Sequence, residues 1–538
     1  MAGESPFSRG RAAAKSSAFA KLALPVLAGV WMTLAVSCKV GPDYTTPRAS
    51  VAGQWTGLPA SAGDAAEVYW WRHFNDPVLD SLIRSACAHN LSLQAAGVRV
   101  LETRAKLNKT IGNLFPQQQA VSGQLNYSRL NDGTLTGLPG VDRDYFQDEA
   151  LFAATWEIDF WGKYRRSIES DRATFLGSVA AYDDAMVTLI ADVASTYVNI
   201  RTLQERLEVA ERNLQTQTEG LRIATAQFKS GETSELDVQQ ATTQLAQTES
   251  QVPLLHEALT QNKNGLAVLL GERPDEIDRH LTGPARIPAT PAGVVAGIPR
   301  DLLRRRPDVR EAGLQAASYS ALIGVAKAGL YPSFSLSGEF GFSSSNEGNH
   351  SLSDLFSWPS RALSAGAGLV MPVFNYGRLV NQVRVQDAQF QQAVLNYQNT
   401  VLAAQQEVEN GIASFANERK ALVSLNRAAG SSRRAAELAM IQYKGGQTDY
   451  TTVLTAEQAE LSVENSVAVT KGNVALGLIA IYRALGGGWE VRGGRDVIPD
   501  PVKEEMAKRT DWGKLLEPSR HLPKPPPATD APKAGKPR

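Results

Sequence analysis

The chain has 538 residues, and its 55 lysines and arginines balance 55 aspartates and glutamates, for a net charge of zero. That balance supplies no attraction to a phosphate backbone, so nucleic acid is not an expected partner. Beyond the N-terminal segment no apolar run reaches the ~18 residues of a membrane-spanning helix, and two cysteines are too few for a disulfide scaffold.

Residues 1–37 read as a secretory signal. Arg9, Arg11, Lys15 and Lys21 precede an apolar run, Leu22 to Val36, that is short and interrupted by Pro25. The run ends in Leu34-Ala35-Val36-Ser37-Cys38. A small residue before a cysteine here resembles a bacterial lipoprotein signal, with Cys38 as the lipidated first residue. Leucine stands four positions before the cysteine rather than the usual three, and an incidental cysteine in an ordinary signal is the alternative. With Cys38 modified, Cys87 has no partner and no intrachain disulfide is expected.

The remainder is one unit written twice. A segment 38–89 leads into a first repeat, 90–273; a linker, 274–303, leads into a second, 304–488; residues 489–538 close the chain with a Pro/Lys-rich tail that reads as disordered. Gln227-Phe228-Lys229-Ser230-Gly231-Glu232-Thr233 returns as Gln442-Tyr443-Lys444-Gly445-Gly446-Gln447-Thr448, and Trp161-Gly162-Lys163 returns as Tyr376-Gly377-Arg378 at the same offset. Leu270-Gly271 returns as Leu485-Gly486, and Leu114-Phe115-Pro116 as Leu330-Tyr331-Pro332, one residue out of step. The offset is far longer than the ~20–50 residues of a solenoid and means two copies of a large unit. Duplication of this kind suits a wall or tube better than a single catalytic cleft.

Within each copy a short helix (Asn90 to Asn113 in the first) precedes two strands, about 116–129 and 145–160, or 331–345 and 361–374. Phe146, Ala150, Phe152, Ala154, Trp156, Ile158 and Phe160 alternate with mostly polar residues, as do Phe334, Leu336, Phe340 and Phe342. That alternation fits a membrane barrel with lipid outside and a polar lumen inside; a half-buried soluble strand alternates similarly. Four strands leave open edges, which a bilayer does not tolerate, so the chain must oligomerise. A proline-free helix follows each hairpin, Gly162 to Phe228 and Gly377 to Tyr443, each about 100 Å long at the α-helical rise. Met186, Val193, Ile200, Leu207, Leu214, Leu221 and Phe228 mark a heptad seam, matched by Val401, Val408, Phe415, Leu422, Ala429, Ala436 and Tyr443. A companion seam, Leu189, Thr196, Leu203, Ala210, Gln217 and Ala224, is weak and partly polar, as in a thin helical wall. Glycine turns end both long helices, and shorter helices return, Ser234 to Leu270 and Tyr450 to Leu485.

In four stretches the chain resembles a TolC-like outer-membrane efflux protein of the lipoprotein subfamily that serves resistance-nodulation-division pumps. They are Cys38-Lys39-Val40-Gly41-Pro42-Asp43-Tyr44; Tyr69-Trp70-Trp71-Arg72-His73-Phe74-Asn75-Asp76-Pro77-Val78-Leu79; Leu302-Leu303-Arg304-Arg305-Arg306-Pro307-Asp308-Val309-Arg310; and the two glycine turns. They span nearly the whole mature chain. The resemblance implies a mainly α-helical fold with a membrane β-barrel: a homotrimer whose twelve strands, four per chain, form the barrel above a coiled-coil tunnel in the periplasm. It implies a passive exit duct for small molecules, delivered by an inner-membrane pump through a periplasmic adaptor, with outer-membrane lipid around the barrel and Lys39 after the cysteine permitting release to that membrane. A duct for type I protein secretion is the first alternative, and a periplasmic coiled-coil tether without a pore the second.

The resemblance also implies closure at the periplasmic tip, where the hairpin turns gather. The tip residues are Lys229, Gly231, Glu232, Thr233 and Glu235 in the first copy, and Lys444, Gly446, Thr448, Asp449 and Tyr450 in the second. Relatives often carry acids where this chain has Thr448 and Thr455, which leaves Asp449 as the best acidic candidate; the alternative is that Asp449 caps the returning helix. No enzyme is expected. The six histidines lack metal-ligand spacing, no nucleophile elbow or phosphate loop occurs, and Glu157 with Asp159 reads as pore lining rather than acid–base chemistry. Arg304-Arg305-Arg306 reads as a structural element paired with Asp301 and Asp308. No cofactor or metal is expected.

Overall fold

The computed structural model describes residues 39–56, 68–129, 144–291, 305–346, 352–493 and 495–522. The signal, Cys38, the strand-connecting stretches 130–143 and 347–351, the linker 292–304 with Asp301 and Arg304, and the tail from 523 lie outside the described residues. The elements, in order, are α1 (Pro77–His89), α2 (Leu91–Gly112), β1 (Gln118–Arg129), β2 (Asp144–Ile158), α3 (Lys163–Ser230), α4 (Glu235–Leu270), α5 (Pro307–Ala328), β3 (Ser333–Ser345), β4 (Arg361–Val370), α6 (Arg378–Lys444), α7 (Tyr450–Ala484), α8 (Asp500–Arg509) and α9 (Pro518–His521), with short 3-10 turns between some of them. Both hairpins and both long helices stand within a few residues of their expected bounds. β4 ends at Val370, ahead of Pro372, which has no N–H for a ladder. α8 and α9 were not expected; a charged helix of ten residues, started by Pro501 in its first turn, carries no strong periodic signal.

The chain divides into two compact units. The first, Met1–Tyr44, Lys109–Ser170 and Ser320–Ala388, contains the sheet. Its strands lie in the order β1-β2-β3-β4, every pair antiparallel. The register lines up the apolar residues: Val121, Phe152, Phe340 and Leu363 form one row, and Trp156, Leu336 and Ala367 another. The opposite face carries rows of Gln124, Glu149 and Ser343, and of Ala120, Ala153, Glu339 and Ser364. Because side chains alternate with period two, this register makes one face mostly apolar, interrupted by Gln119, Asp148 and Arg361, and the other largely polar. β1 and β4 are the sheet's edges, and their apolar residues are exposed, Val121 at 82% and Leu363 at 77%.

Where β2 runs into α3, Asp159 lies beyond the strand. Its carboxylate accepts the backbone N–H groups of Tyr164 and Arg165, both at 3.0 Å, and the Arg165 side chain at 2.8 Å. Asp159 therefore starts a helix and is not a lumen-facing strand residue. Glu157, at the end of β2, accepts from Lys163 Nζ and the Tyr164 hydroxyl. In the same unit Arg166, 1% exposed, donates to the carbonyls of Val40 and Gly41 and pairs with Asp43 and Glu169. Gly41 has φ of 98°, and a Cβ there would fall 2.4 Å from the Gly324 Cα. The first residues after Cys38 are thus seated against α3 and α5, with Lys39 Nζ 2.6 Å from Glu169.

The second unit, Thr45–Asn108, Asp171–Tyr319 and Gln389–Arg538, holds most of the helical mass. Most of both seams faces inward: Met186, Val193, Ile200 and Leu207 are buried on α3, and Val401, Val408, Phe415, Ala436 and Tyr443 on α6, while Phe228 at the end of the α3 seam is exposed. α6 and α7 approach so closely that Gly411 touches Ile481 and Gly477 touches the Phe415 backbone. α7 is long and apolar enough to cross a membrane, but most of its apolar window is buried inside the chain, as expected of a wall helix. Trp70 stacks on Tyr482 with ring centres 5.2 Å apart, and Asp76 caps α1 by accepting from Val78 and Leu79 N–H. Arg306 donates to the Ala484 carbonyl at the end of α7 and to Asp308 and Glu407. The expected Asp308 partner is found; Glu407 on α6 is an addition.

Candidate functional site

Each glycine turn closes its long helix in the same way. Gly231 has φ of 77° and Gly446 of 67°, left-handed values that a side chain makes costly. Gly231 N–H donates to Phe228 O and Glu232 N–H to Gln227 O; Gly446 N–H donates to Tyr443 O and Gln447 N–H to Gln442 O. These paired bonds satisfy carbonyls that a helix end leaves free. The amide of Gln227 bonds Tyr443 O at 3.3 Å, tying the two turns together.

Beneath the turns the four helices share one apolar cluster. Ile223 and Ala224 come from α3, Ala241 from α4, Ala439 and Tyr443 from α6, and Tyr450 and Val453 from α7. Polar bonds stitch its margin. Asp237, at the start of α4, accepts from the hydroxyls of Thr233, Ser234 and Tyr443. Gln244 of α4 accepts from the Gln458 amide of α7 at 2.9 Å.

The expected tip residues separate into two groups. Lys229, Gly231, Glu232, Glu235, Lys444, Gly446 and Asp449 are exposed. Thr233 and Thr448 are partly covered, and Thr448 donates to the Thr452 hydroxyl at 2.8 Å. Asp449 accepts from the N–H and hydroxyl of Thr452, so it caps α7 while its side chain remains open to solvent. Tyr450 is wholly buried and meets Tyr443 edge-on at 5.2 Å between ring centres. Thr455 bonds back to the Thr451 carbonyl of its own helix. The duplication is uneven here, since Tyr443 is 3% exposed and its counterpart Phe228 is 43% exposed.

Three buried polar residues of this region were not among the expected site residues: Asp237, Gln217 and Glu457. Gln217 stands in the companion seam and was visible there. Glu457 follows Tyr450 and Val453 at helical spacing, which assigns it to the buried face of α7. Among the described residues no group of three or more His, Cys, Asp or Glu side chains could hold a metal ion.

A duplicated hairpin-and-long-helix chain, with a sheet apolar on one face and open at both edges, is the subunit of a channel wall. The chain belongs to the outer membrane efflux protein family, whose model matches residues 82–272 and 298–487. It is 30% identical over 465 residues to nodulation protein T of Rhizobium leguminosarum bv. viciae, covering 86% of this chain and 93% of that protein. It is 29% identical over 459 residues to the probable efflux pump outer membrane protein TtgC of Pseudomonas putida, covering 84% and 93%. The solved outer-membrane channel OprN superposes with a TM-score of 0.78 at 32% identity, over 84% of this chain and all of that one. The protein is accordingly an outer-membrane channel of tripartite efflux machinery.

Proposed function

We propose that three copies assemble into a passive exit duct that takes small molecules from an inner-membrane pump by way of a periplasmic adaptor and closes at the glycine-turn tip. The observation that carries this reading is the open-edged sheet with continuous apolar rows. Exposed edges in a bilayer leave N–H and C=O groups without partners, and joining β1 of one copy to β4 of the next satisfies them. Three such sheets make a closed ring of twelve strands, an even number as in bacterial barrels. No catalytic role is assigned. Native mass spectrometry in detergent is expected to return trimers, and planar bilayers single channels that prefer cations, because Glu232, Glu235 and Asp449 offer exposed carboxylates at the tip. A stable monomer or dimer would contradict the assembly; a conducting trimer without cation preference would take those carboxylates off the conduction path.

Cys38 is proposed as the lipid-anchored residue of the mature chain. The seated segment Lys39–Tyr44 supports that reading, since the bonds of Arg166 to Val40, Gly41 and Asp43 hold the chain just after the anchor. Cys38→Ser is expected to abolish acyl labelling while leaving part of the protein in the outer membrane, held by its barrel. Wild-type protein that takes no label removes the anchor.

A further inference from the structure

At the margin of the tip cluster the contact between α3 and α7 holds three polar side chains whose buried side-chain atoms have no hydrogen-bond partner. Glu457 is 2% exposed and both carboxylate oxygens are unpartnered; Tyr450 is wholly buried with a bare hydroxyl; Gln217 is 1% exposed with both amide atoms bare. Tyr450 and Glu457 share one niche. A methyl group on Gly220, in α3, would stand 3.0 Å from the Tyr450 hydroxyl and 3.8 Å from Glu457 Oε1. The missing side chain at Gly220 is what admits both groups, and Gln217 lies one helical turn away on the same face.

Among the described residues no base neutralises Glu457. From α3 it faces Gln217 and Gly220; the Glu219–Arg222 pair on that helix is exposed and bonded to itself. Around the niche α6 brings Met440, beside Gly220, and Tyr443, against Tyr450, while α4 brings Asp237, bonded to Tyr443, and Gln244, bonded to Gln458; none of these is cationic. On α7 the neighbouring charges are Glu460 and Glu464. Arg433 of α6 is spent on both of these, and Arg212 of α3 on Glu208 and Glu464. A carboxylate kept from water without a cation or donor is costly, and taking up a proton removes the cost. Burial, with the charge of Glu460 adding to it, pushes Glu457 from the usual 4.5 up to about 7.

We propose that Glu457 is a proton-binding site that couples closure of the helical tip to pH: as the neutral acid it lies inside the α3–α7 contact beside Tyr450 and Gln217, and as the carboxylate it drives α7 away from α3. The direction follows from linkage. The packed tip binds this proton more tightly than a tip in which Glu457 meets water, so packing is strongest below the ordinary carboxyl value. It weakens as pH rises through about 7 and changes no further above that. The balance is simple: one proton leaves the carboxyl oxygen for solvent, and no other bond is made or broken.

The inference rests on the tip being the constriction of the duct, and the test separates the two. Wild type and Glu457→Gln, the neutral isostere, are recorded as single channels at about pH 5.5 and about pH 8.5. Wild type is expected to gain at least about tenfold in open probability at the higher pH, because more than one pH unit of coupling lies between about pH 5.5 and about 7, while Glu457→Gln stays at the low-pH level throughout. In parallel, infrared difference spectra of wild type minus variant are expected to show a protonated-carboxyl C=O band that fades as pH passes 7. Wild-type and variant curves that superimpose in a conducting protein, or the lack of that band below pH 7, would overturn the proposal. A protein that conducts at no pH sinks the duct reading, and this one with it.

Discussion

Arg306→Ala is expected to lower stability by about 1.5–3 kcal/mol, the usual worth of a hydrogen bond to a charged group. Arg306 is 7% exposed and holds three elements at once: Asp308 at the start of α5, Glu407 on α6, and the Ala484 carbonyl at the end of α7. Its loss leaves Asp308 and Glu407 facing one another and frees a carbonyl at a helix end. Lysine restores the charge but not the fork that reaches all three acceptors, so Arg306→Lys is expected to recover less than half the loss. Chemical denaturation of the purified protein measures both. A loss under about 1 kcal/mol for the alanine variant would place Arg306 with ordinary surface ion pairs.

Arg166→Ala is expected to release the segment Lys39–Tyr44 from the rest of its unit. This buried guanidinium reaches two backbone carbonyls and two carboxylates, and bonds of this charged kind are worth roughly 1.5–3 kcal/mol each. What remains includes the Val40 N–H to Trp161 O bond, the Lys39–Glu169 pair and close packing on Gly324. Limited proteolysis of the variant is expected to cut within 39–44 at least about tenfold faster than in wild type, since about 1.4 kcal/mol of local protection already corresponds to that ratio. Equal cutting rates would show that the remaining contacts seat the segment without Arg166.

The large elements were legible because their signals are periodic. Alternation along Phe334, Leu336, Phe340 and Phe342 specified a strand face, and sevenfold spacing from Met186 onward specified a helix face. The register then matched apolar to apolar across every strand pair. Periodicity says which side of an element is covered, but not by what. Asp159 belongs to the alternating set of β2 by spacing, yet it ends up capping α3 because the strand stops one residue earlier. Tyr450 follows a polar turn and shares its sequence context, but its ring fits under Tyr443. The unequal pair Phe228 and Tyr443 carries the same lesson. Two halves that match in sequence diverge where four helices meet: Tyr443 is buried and donates to Asp237, while Phe228 is left largely exposed.

The sheet's two unlike edges have a genetic consequence. In the proposed ring of three chains each junction would join the β1 edge of one copy to the β4 edge of another, a head-to-tail contact that no copy can make with itself. A lesion confined to β1, such as a proline at Ser122, spoils one junction for every altered chain present. A cell making equal amounts of altered and normal chains would then build only about one ring in eight without a faulty junction. Alleles of this kind should therefore act dominantly, whereas a lesion that prevents the chain from folding at all leaves its normal counterpart free to close rings.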